Sequence, residues 1–252
     1  MLEILLLSII QGITEFLPVS SSAHLILFSN YLISDSQNLT LDISLHSGSL
    51  LAVILFFKEE ILNFFQNKYL FLKILISSLP IMIAGFVLIK LNLLEQLRNI
   101  YAISITTILF GLLLYYSDKF EEKNNIKDNL SIKGSLYIGF IQILSLIPGV
   151  SRSGITMTVA RLLKFNRIDS AKISFLLSIP TLLAVSTYNI FKILELENIQ
   201  ITIENFWGMF LSFIFSFITL KFFIKFLKKF SLFFFMVYRV ILGLVILIYV
   251  SY

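Results

Sequence analysis

Six apolar runs, each close to the length of a membrane-crossing helix, dominate this 252-residue chain: residues 42–57, 72–90, 101–117, 172–192, 206–224 and 232–250. A crossing helix needs about 20 apolar residues, because 1.5 Å per residue has to cover a hydrocarbon layer about 30 Å thick. The first run is short in its apolar core and extends toward Lys58, Glu59 and Glu60 at the water interface. Hydrophobic side chains make up 58% of the chain and charged ones 14%, which leaves too little polar surface for a soluble domain. The low charge also excludes disorder. With no cysteine there are no disulfides or thiolate-bound metals, and two histidines, His24 and His46, cannot build a histidine-rich cage.

Two further apolar regions are broken in the middle. Residues 2–28 are interrupted by Leu17-Pro18-Val19-Ser20-Ser21-Ser22, and residues 132–163 by Ile147-Pro148-Gly149-Val150-Ser151-Arg152-Ser153. Proline stops the first arm of each, and a serine N-cap starts the second. Arms of about 12–16 residues reach only about 18–24 Å, too short to cross. Each region is expected to be a re-entrant hairpin turning near the midplane, where broken backbone is tolerated only if it lines an enclosed or watery cavity.

The order becomes hairpin, three spans, hairpin, three spans. Three crossings per half put the second half upside down relative to the first. The expected fold class is an all-α integral membrane protein, an inverted repeat within one membrane domain over residues 1–252. The half-repeats run over about 1–118 and 131–252, with a linker at 119–130. A weak internal likeness agrees: Ile10-Gln11 then Pro18-Val19-Ser20-Ser21-Ser22, against Ile141-Gln142 then Pro148-Gly149-Val150-Ser151-Arg152-Ser153.

Charge tests the layout independently. Of the 20 Lys and Arg, 14 fall on the side opposite the N-terminus and three on its own side. The other three, Arg152, Arg161 and Arg239, fall within membrane segments. By the positive-inside rule the rich side is cytoplasmic and both termini face outward. The net charge of +5 therefore reads as topology, and no nucleic-acid partner is expected. The first basic residue is Lys58, so no cleaved leader is expected either.

Ionisable groups at membrane depth point to function. The first hairpin holds Glu15 and His24, with Gln11 one turn before Glu15 on the same helix face. The second holds Arg152 between Ser151 and Ser153, with Thr156 one turn on. The second arms begin at Ser20, Ser21 and Ser22 and at Ser151 to Ser153, and helix N-termini favour phosphate. Arg152 adds a fork that can hold phosphate oxygens bidentately. A carboxylate beside that cradle repels an anion unless a divalent cation bridges them or Glu15 acts as a base. Oxygen ligands such as Glu15 and Gln11 suit Mg²⁺ or Ca²⁺. Elsewhere, Arg161 is expected to snorkel, Arg239 to hold either a structural partner or substrate, and Asp42 and His46, on one face, to shape the cavity or act in it. Pro80 and Pro180 are expected to kink their helices rather than touch substrate, and Phe233, Phe234 and Phe235 to face lipid.

These residues carry a resemblance. Gln11-Gly12-Ile13-Thr14-Glu15-Phe16-Leu17-Pro18-Val19-Ser20-Ser21-Ser22-Ala23-His24 resembles the first signature of the undecaprenyl-diphosphate phosphatases of the bacitracin-resistance type. Pro148-Gly149-Val150-Ser151-Arg152-Ser153-Gly154-Ile155-Thr156 resembles the second, and residues 42–53 are similar to the segment after the first hairpin. The likeness covers essentially the whole chain. It implies a bacterial inner-membrane hydrolase that converts a C55 isoprenoid diphosphate to the monophosphate and so recycles the carrier lipid for cell-wall polymers. The implied partners are the polyprenyl diphosphate and membrane lipid, with a homodimer left open. The family often has Glu where this chain has Gln11, which leaves the base role to Glu15 or His24. Glu15, Ser21, His24 and Arg152 are the catalytic candidates, and Gln11, Ser20, Ser22, Ser151, Ser153 and Thr156 the substrate contacts. Either Ser21 or His24 attacks phosphorus, or an activated water does. The rival reading is a polyprenyl-phosphate flippase or anion carrier, since transporters also bring broken helices together at the midplane.

Overall fold

A computed structural model of the chain describes residues 1–21, 23–25, 39–93, 95–97, 99–194 and 202–251. Eleven helices are defined among the described residues: α1 Leu2–Thr14, α2 Leu39–Phe56, α3 Lys58–Leu62, α4 Phe64–Lys90, α5 Ile100–Asp118, α6 Ile126–Asn129, α7 Ile132–Gln142, α8 Arg152–Leu162, α9 Arg167–Leu194, α10 Ile203–Leu227 and α11 Phe233–Ser251. Within α4, α5, α9, α10 and α11 lie five stretches long and apolar enough to cross a membrane. The sixth expected span, α2, is a shorter apolar helix, its first turns diluted by Thr40, Asp42, Ser44 and His46.

Both apolar regions break where the prolines predict. Helix α1 ends at Thr14, residues 15–19 turn, and helical backbone resumes at Ser21. Helix α7 tightens into a 3₁₀ turn over Ile143–Leu146, and α8 restarts at Arg152 with Ser151 as its N-cap. At about 1.5 Å per residue, the 11 residues of α8 reach only about half the hydrocarbon thickness.

Helix α1 lies along α10, and α7 lies along α4. Helix α2 packs on both α9 and α10, α9 on α4, and α5 on α11 and α8. The seams close on small residues: a Cβ on Gly48 would overlap the Met209 carbonyl, and one on Gly139 would stand 2.5 Å from the Ser77 carbonyl oxygen. Between α2 and α10, the Ser216 hydroxyl donates to Ser49 at 3.0 Å and the Ser212 hydroxyl to the Leu45 carbonyl at 2.7 Å. Lipid tails offer helices no hydrophobic gain over one another, so close backbone approach and such bonds are what hold a membrane bundle.

The segment over residues 119–130 is tied down. Asn124 bridges Phe165, Ile126 N–H donates to Asp169 at 3.1 Å, and Lys123 N–H donates to the Lys164 carbonyl at 2.9 Å. Arg161 does not snorkel as its sequence position suggests. It is 1% exposed and donates to the carbonyls of Asp118, Phe120 and Phe165. The Asp118 carboxylate takes Arg167 at 2.7 Å, Arg161 at 3.4 Å and Leu232 N–H at 3.0 Å. The linker strand running past Arg161 offers carbonyls that a solvent-facing guanidinium would leave unpaired. Of the aromatic tract at 233–235, Phe233 and Phe234 are exposed as expected, whereas Phe235 turns inward against Phe223 and Phe226.

Candidate active site

The first break is anchored by Phe16, fully buried and edge-on to Phe175 of α9 at 5.6 Å. This holds Glu15 inward, where it becomes the hub of the two breaks. Its Oε1 accepts from Arg152 Nη2 at 2.9 Å, and its Oε2 from Ser21 Oγ at 2.9 Å and Gln11 Nε2 at 3.2 Å. Arg152 is itself aimed by α9, donating from Nη1 to the Ser174 carbonyl at 3.0 Å. The Ser153 hydroxyl donates to the Leu17 carbonyl at 2.8 Å, a second bond between the breaks.

A third tie comes from the last helix. Arg239 is fully buried and, among the described residues, donates to backbone carbonyls: Thr107 at 3.1 Å, Pro18 at 3.4 Å, Gly149 at 2.8 Å and Val150 at 3.0 Å. Carbonyls at helix breaks lack intrahelical donors, and this one guanidinium supplies both breaks at once.

The converging residues line a cavity of about 280 Å³. Glu15, Ser20, Ser21, Ser151, Arg152 and Ser153 give it a polar lining together with Thr14, Ser145, His46 and Thr181. Ile81, Leu182 and Val185 are its apolar lining, and Val185 is 45% exposed. Ile81 and Thr181 follow Pro80 and Pro180 directly, so the two prolines lie beside the cavity rather than apart from it.

Not every candidate meets there. His24 is outside the cavity lining: its Nδ1 donates to the Ser20 carbonyl at 2.6 Å, and its Nε2 accepts from the Tyr238 hydroxyl at 2.6 Å. Gln11 is outside the lining too, fully buried behind Glu15, and so is Thr156, its hydroxyl donating to Ser174 Oγ at 2.8 Å and shared with the Arg152 carbonyl. Ser22 lies outside the described residues. Sequence reasoning left His46 open and missed Ser145, Ser174, Thr181 and Tyr238; the last four are common residues on apolar helices with no motif around them.

The match to known proteins is as extensive as the geometry is specific. The profile described as bacitracin resistance protein BacA matches residues 4–245. The chain belongs to the BacA family. Within it, the chain is 46% identical to the undecaprenyl-diphosphatase of Pelagibacter ubique strain HTCC1062, covering 98% of this chain and 96% of that one. It is 38% identical to the undecaprenyl-diphosphatase of Chromohalobacter salexigens, covering 99% of each. A third enzyme of that name, from Alcanivorax borkumensis, is 37% identical over 99% of this chain and 98% of its own.

Proposed function

We propose that this chain hydrolyses undecaprenyl diphosphate to undecaprenyl phosphate and inorganic phosphate in the bacterial plasma membrane, recycling the carrier lipid for cell-wall synthesis and conferring bacitracin resistance when abundant. The observation that carries this reading is the meeting of Glu15, Ser21 and Arg152 in one cavity that has both polar and apolar side chains in its lining. A diphosphate on an isoprenoid tail needs both surfaces. The headgroup lies over the serines and Arg152, and the tail leaves past Ile81, Leu182 and Val185 toward lipid.

Ser21 is the nucleophile, because its hydroxyl already donates to Glu15, the nucleophile–base contact that such chemistry requires. The Ser21 oxygen bonds to the terminal phosphorus, its proton passes to Glu15, and the bond to the bridging oxygen breaks, leaving the lipid monophosphate. Water then hydrolyses the phosphoserine and restores Ser21. Arg152 spans Glu15 and the transferring phosphoryl group, so a phosphate that draws the guanidinium toward itself frees the carboxylate to take the proton. The first turn of α8 adds its dipole. Thr156 and Ser174 act behind Arg152, and His24 fixes the Ser20 carbonyl against Tyr238.

Gln11 and Glu15 would hold Mg²⁺ or Ca²⁺. Gln11 Oε1 is buried without a partner beside the carboxylate, and no group of three or more acidic or histidine ligands exists among the described residues. That donor set fits a hard cation that takes its other ligands from phosphate and water. When bound, such an ion neutralises phosphate charge.

The layout we infer is an inverted repeat of two re-entrant hairpins and six spans, with both termini outward. One offset of 131 residues relates Gln11 to Gln142 and Ser20 to Ser151. The same offset relates the crossing of Ser8 with Gly208 to that of Gly139 with Ser77. The basic loops support the orientation.

Purified protein given a polyprenyl diphosphate and Mg²⁺ should release inorganic phosphate, and Glu15→Gln and Arg152→Ala should each slow release by about 10²-fold or more. Undiminished release from both variants would remove the site. No release from wild type with any divalent ion would favour the carrier.

A further inference from the structure

Only two histidines exist in the chain, and the structure separates their roles. His24, inside the signature, has both ring nitrogens engaged and does not line the cavity. His46, on α2, lines it together with Glu15, Ser21 and Arg152. Its Nδ1 lies 2.8 Å from the Asp42 carbonyl oxygen. A carbonyl oxygen only accepts, so Nδ1 carries the hydrogen and that bond fixes the tautomer and the ring. Among the described residues none hydrogen-bonds to Nε2, which is left as the functional end of a positioned ring.

The polar lining of the cavity is otherwise made of short hydroxyls, one carboxylate and one guanidinium. Several of the hydroxyls already donate elsewhere: Ser153 to the Leu17 carbonyl, Thr14 to the Ile10 carbonyl, Thr181 to the Leu177 carbonyl and Ser21 to Glu15. A phosphate entering the cavity therefore meets fewer hydroxyl donors than the lining suggests. His46 comes from α2, an element separate from both breaks, and supplies a contact that neither signature contains.

We propose that His46 is a substrate-binding residue, its Nε2 forming a hydrogen bond with a phosphate oxygen of the bound diphosphate. The bond forms whether the proton sits on the imidazole or on a phosphate hydroxyl, because either arrangement places one hydrogen between nitrogen and oxygen. This inference rests on the phosphatase reading of the cavity. A side chain that places an amide N–H near the same position can replace the ring, and an apolar one cannot.

The test compares His46→Gln and His46→Leu with wild type in detergent, measuring KM and kcat for a polyprenyl diphosphate and the protection that inorganic phosphate gives against thermal unfolding. His46→Leu is expected to raise KM about tenfold, the equivalent of one hydrogen bond to a charged group, with kcat changed far less. His46→Gln is expected to stay within about twofold of wild type in KM. Phosphate protection should follow the same order. An unchanged KM and unchanged phosphate protection in His46→Leu would overturn the proposal, as would a His46→Gln variant as weak as His46→Leu. Should His46→Leu fail to fold, His46→Asn, too short to reach the phosphate, takes its place with the same expectation. If wild type releases no phosphate, the hydrolase reading fails, and the phosphate-protection series still decides on His46.

Discussion

Ser20 and Ser151 both have positive φ, 76° and 72°, a backbone region that non-glycine residues rarely occupy. Such strain costs of order 1–3 kcal/mol and persists where the surroundings over-determine it. Here each strained serine opens the second arm of a broken helix, and Ser151 Oγ caps that arm by accepting from Gly154 N–H at 3.1 Å. Ser151→Ala keeps the strain and loses the cap, about 1 kcal/mol; Ser151→Gly loses the cap and relieves the strain. Thermal unfolding in detergent should therefore show Ser151→Gly as the more stable of the two, and the reverse order would mean that the strain is not stored at that residue. Arg152→Lys is the second test at this scale. One ammonium cannot reach Glu15 and the Ser174 carbonyl together as Nη2 and Nη1 do, so kcat/KM should fall by about tenfold or more despite the conserved charge. Equal activity would show that charge alone suffices there.

Helices in this bundle are positioned by what lies where they cross. Gly48 and Gly139 stand where α2 meets α10 and α7 meets α4, each against a backbone carbonyl of the partner helix. Backbone cannot yield as a flexible side chain can, so Gly139→Ala should separate α7 from α4 and lower stability by about 1–3 kcal/mol. Gly85, whose added Cβ would meet only Leu146 at 3.7 Å, is the matched control on α4. A Gly139→Ala variant no less stable than Gly85→Ala would contradict this seam. The knot around Asp118 acts between elements too, joining α5, α8, α9 and α11. Removing one partner of a buried ion pair leaves the other charge uncompensated, so Asp118→Asn should lower stability by about 3–5 kcal/mol. It stands apart from the cavity lining, so KM of whatever protein remains folded should be unchanged.

At the scale of the whole molecule, the topology proposed above makes a prediction that needs no substrate. The chain has no cysteine, so single cysteines can be introduced without background. One in the turn at residues 91–93 and one in the linker at 121–123 should react with an impermeant thiol reagent from opposite faces of sealed vesicles; labelling from the same face would sink the topology. Much of the architecture was legible beforehand. Apolar length marked five of the six expected spans, the two proline–serine breaks marked where helices stop, and both are local properties that a linear pattern carries. The meeting of Glu15 with Arg152 was foreseeable only as convergence of the two breaks; His46 was expected at the cavity, but that His24 would stay out of its lining was not foreseeable. His24 sits inside a motif and His46 outside one, yet which ring faces the cavity depends on how α2 and α11 pack beside the first break. Arg161 and Arg239 carry the same lesson. A buried guanidinium survives only where unpaired carbonyls surround it, and those carbonyls come from the linker at 118–120, from Pro18 and from Gly149, far away in the chain. Hydropathy and helix breakers act over one turn or one span and so belong to the sequence itself; the partner of each buried polar group is set by packing between distant segments, and only the tertiary structure decides it.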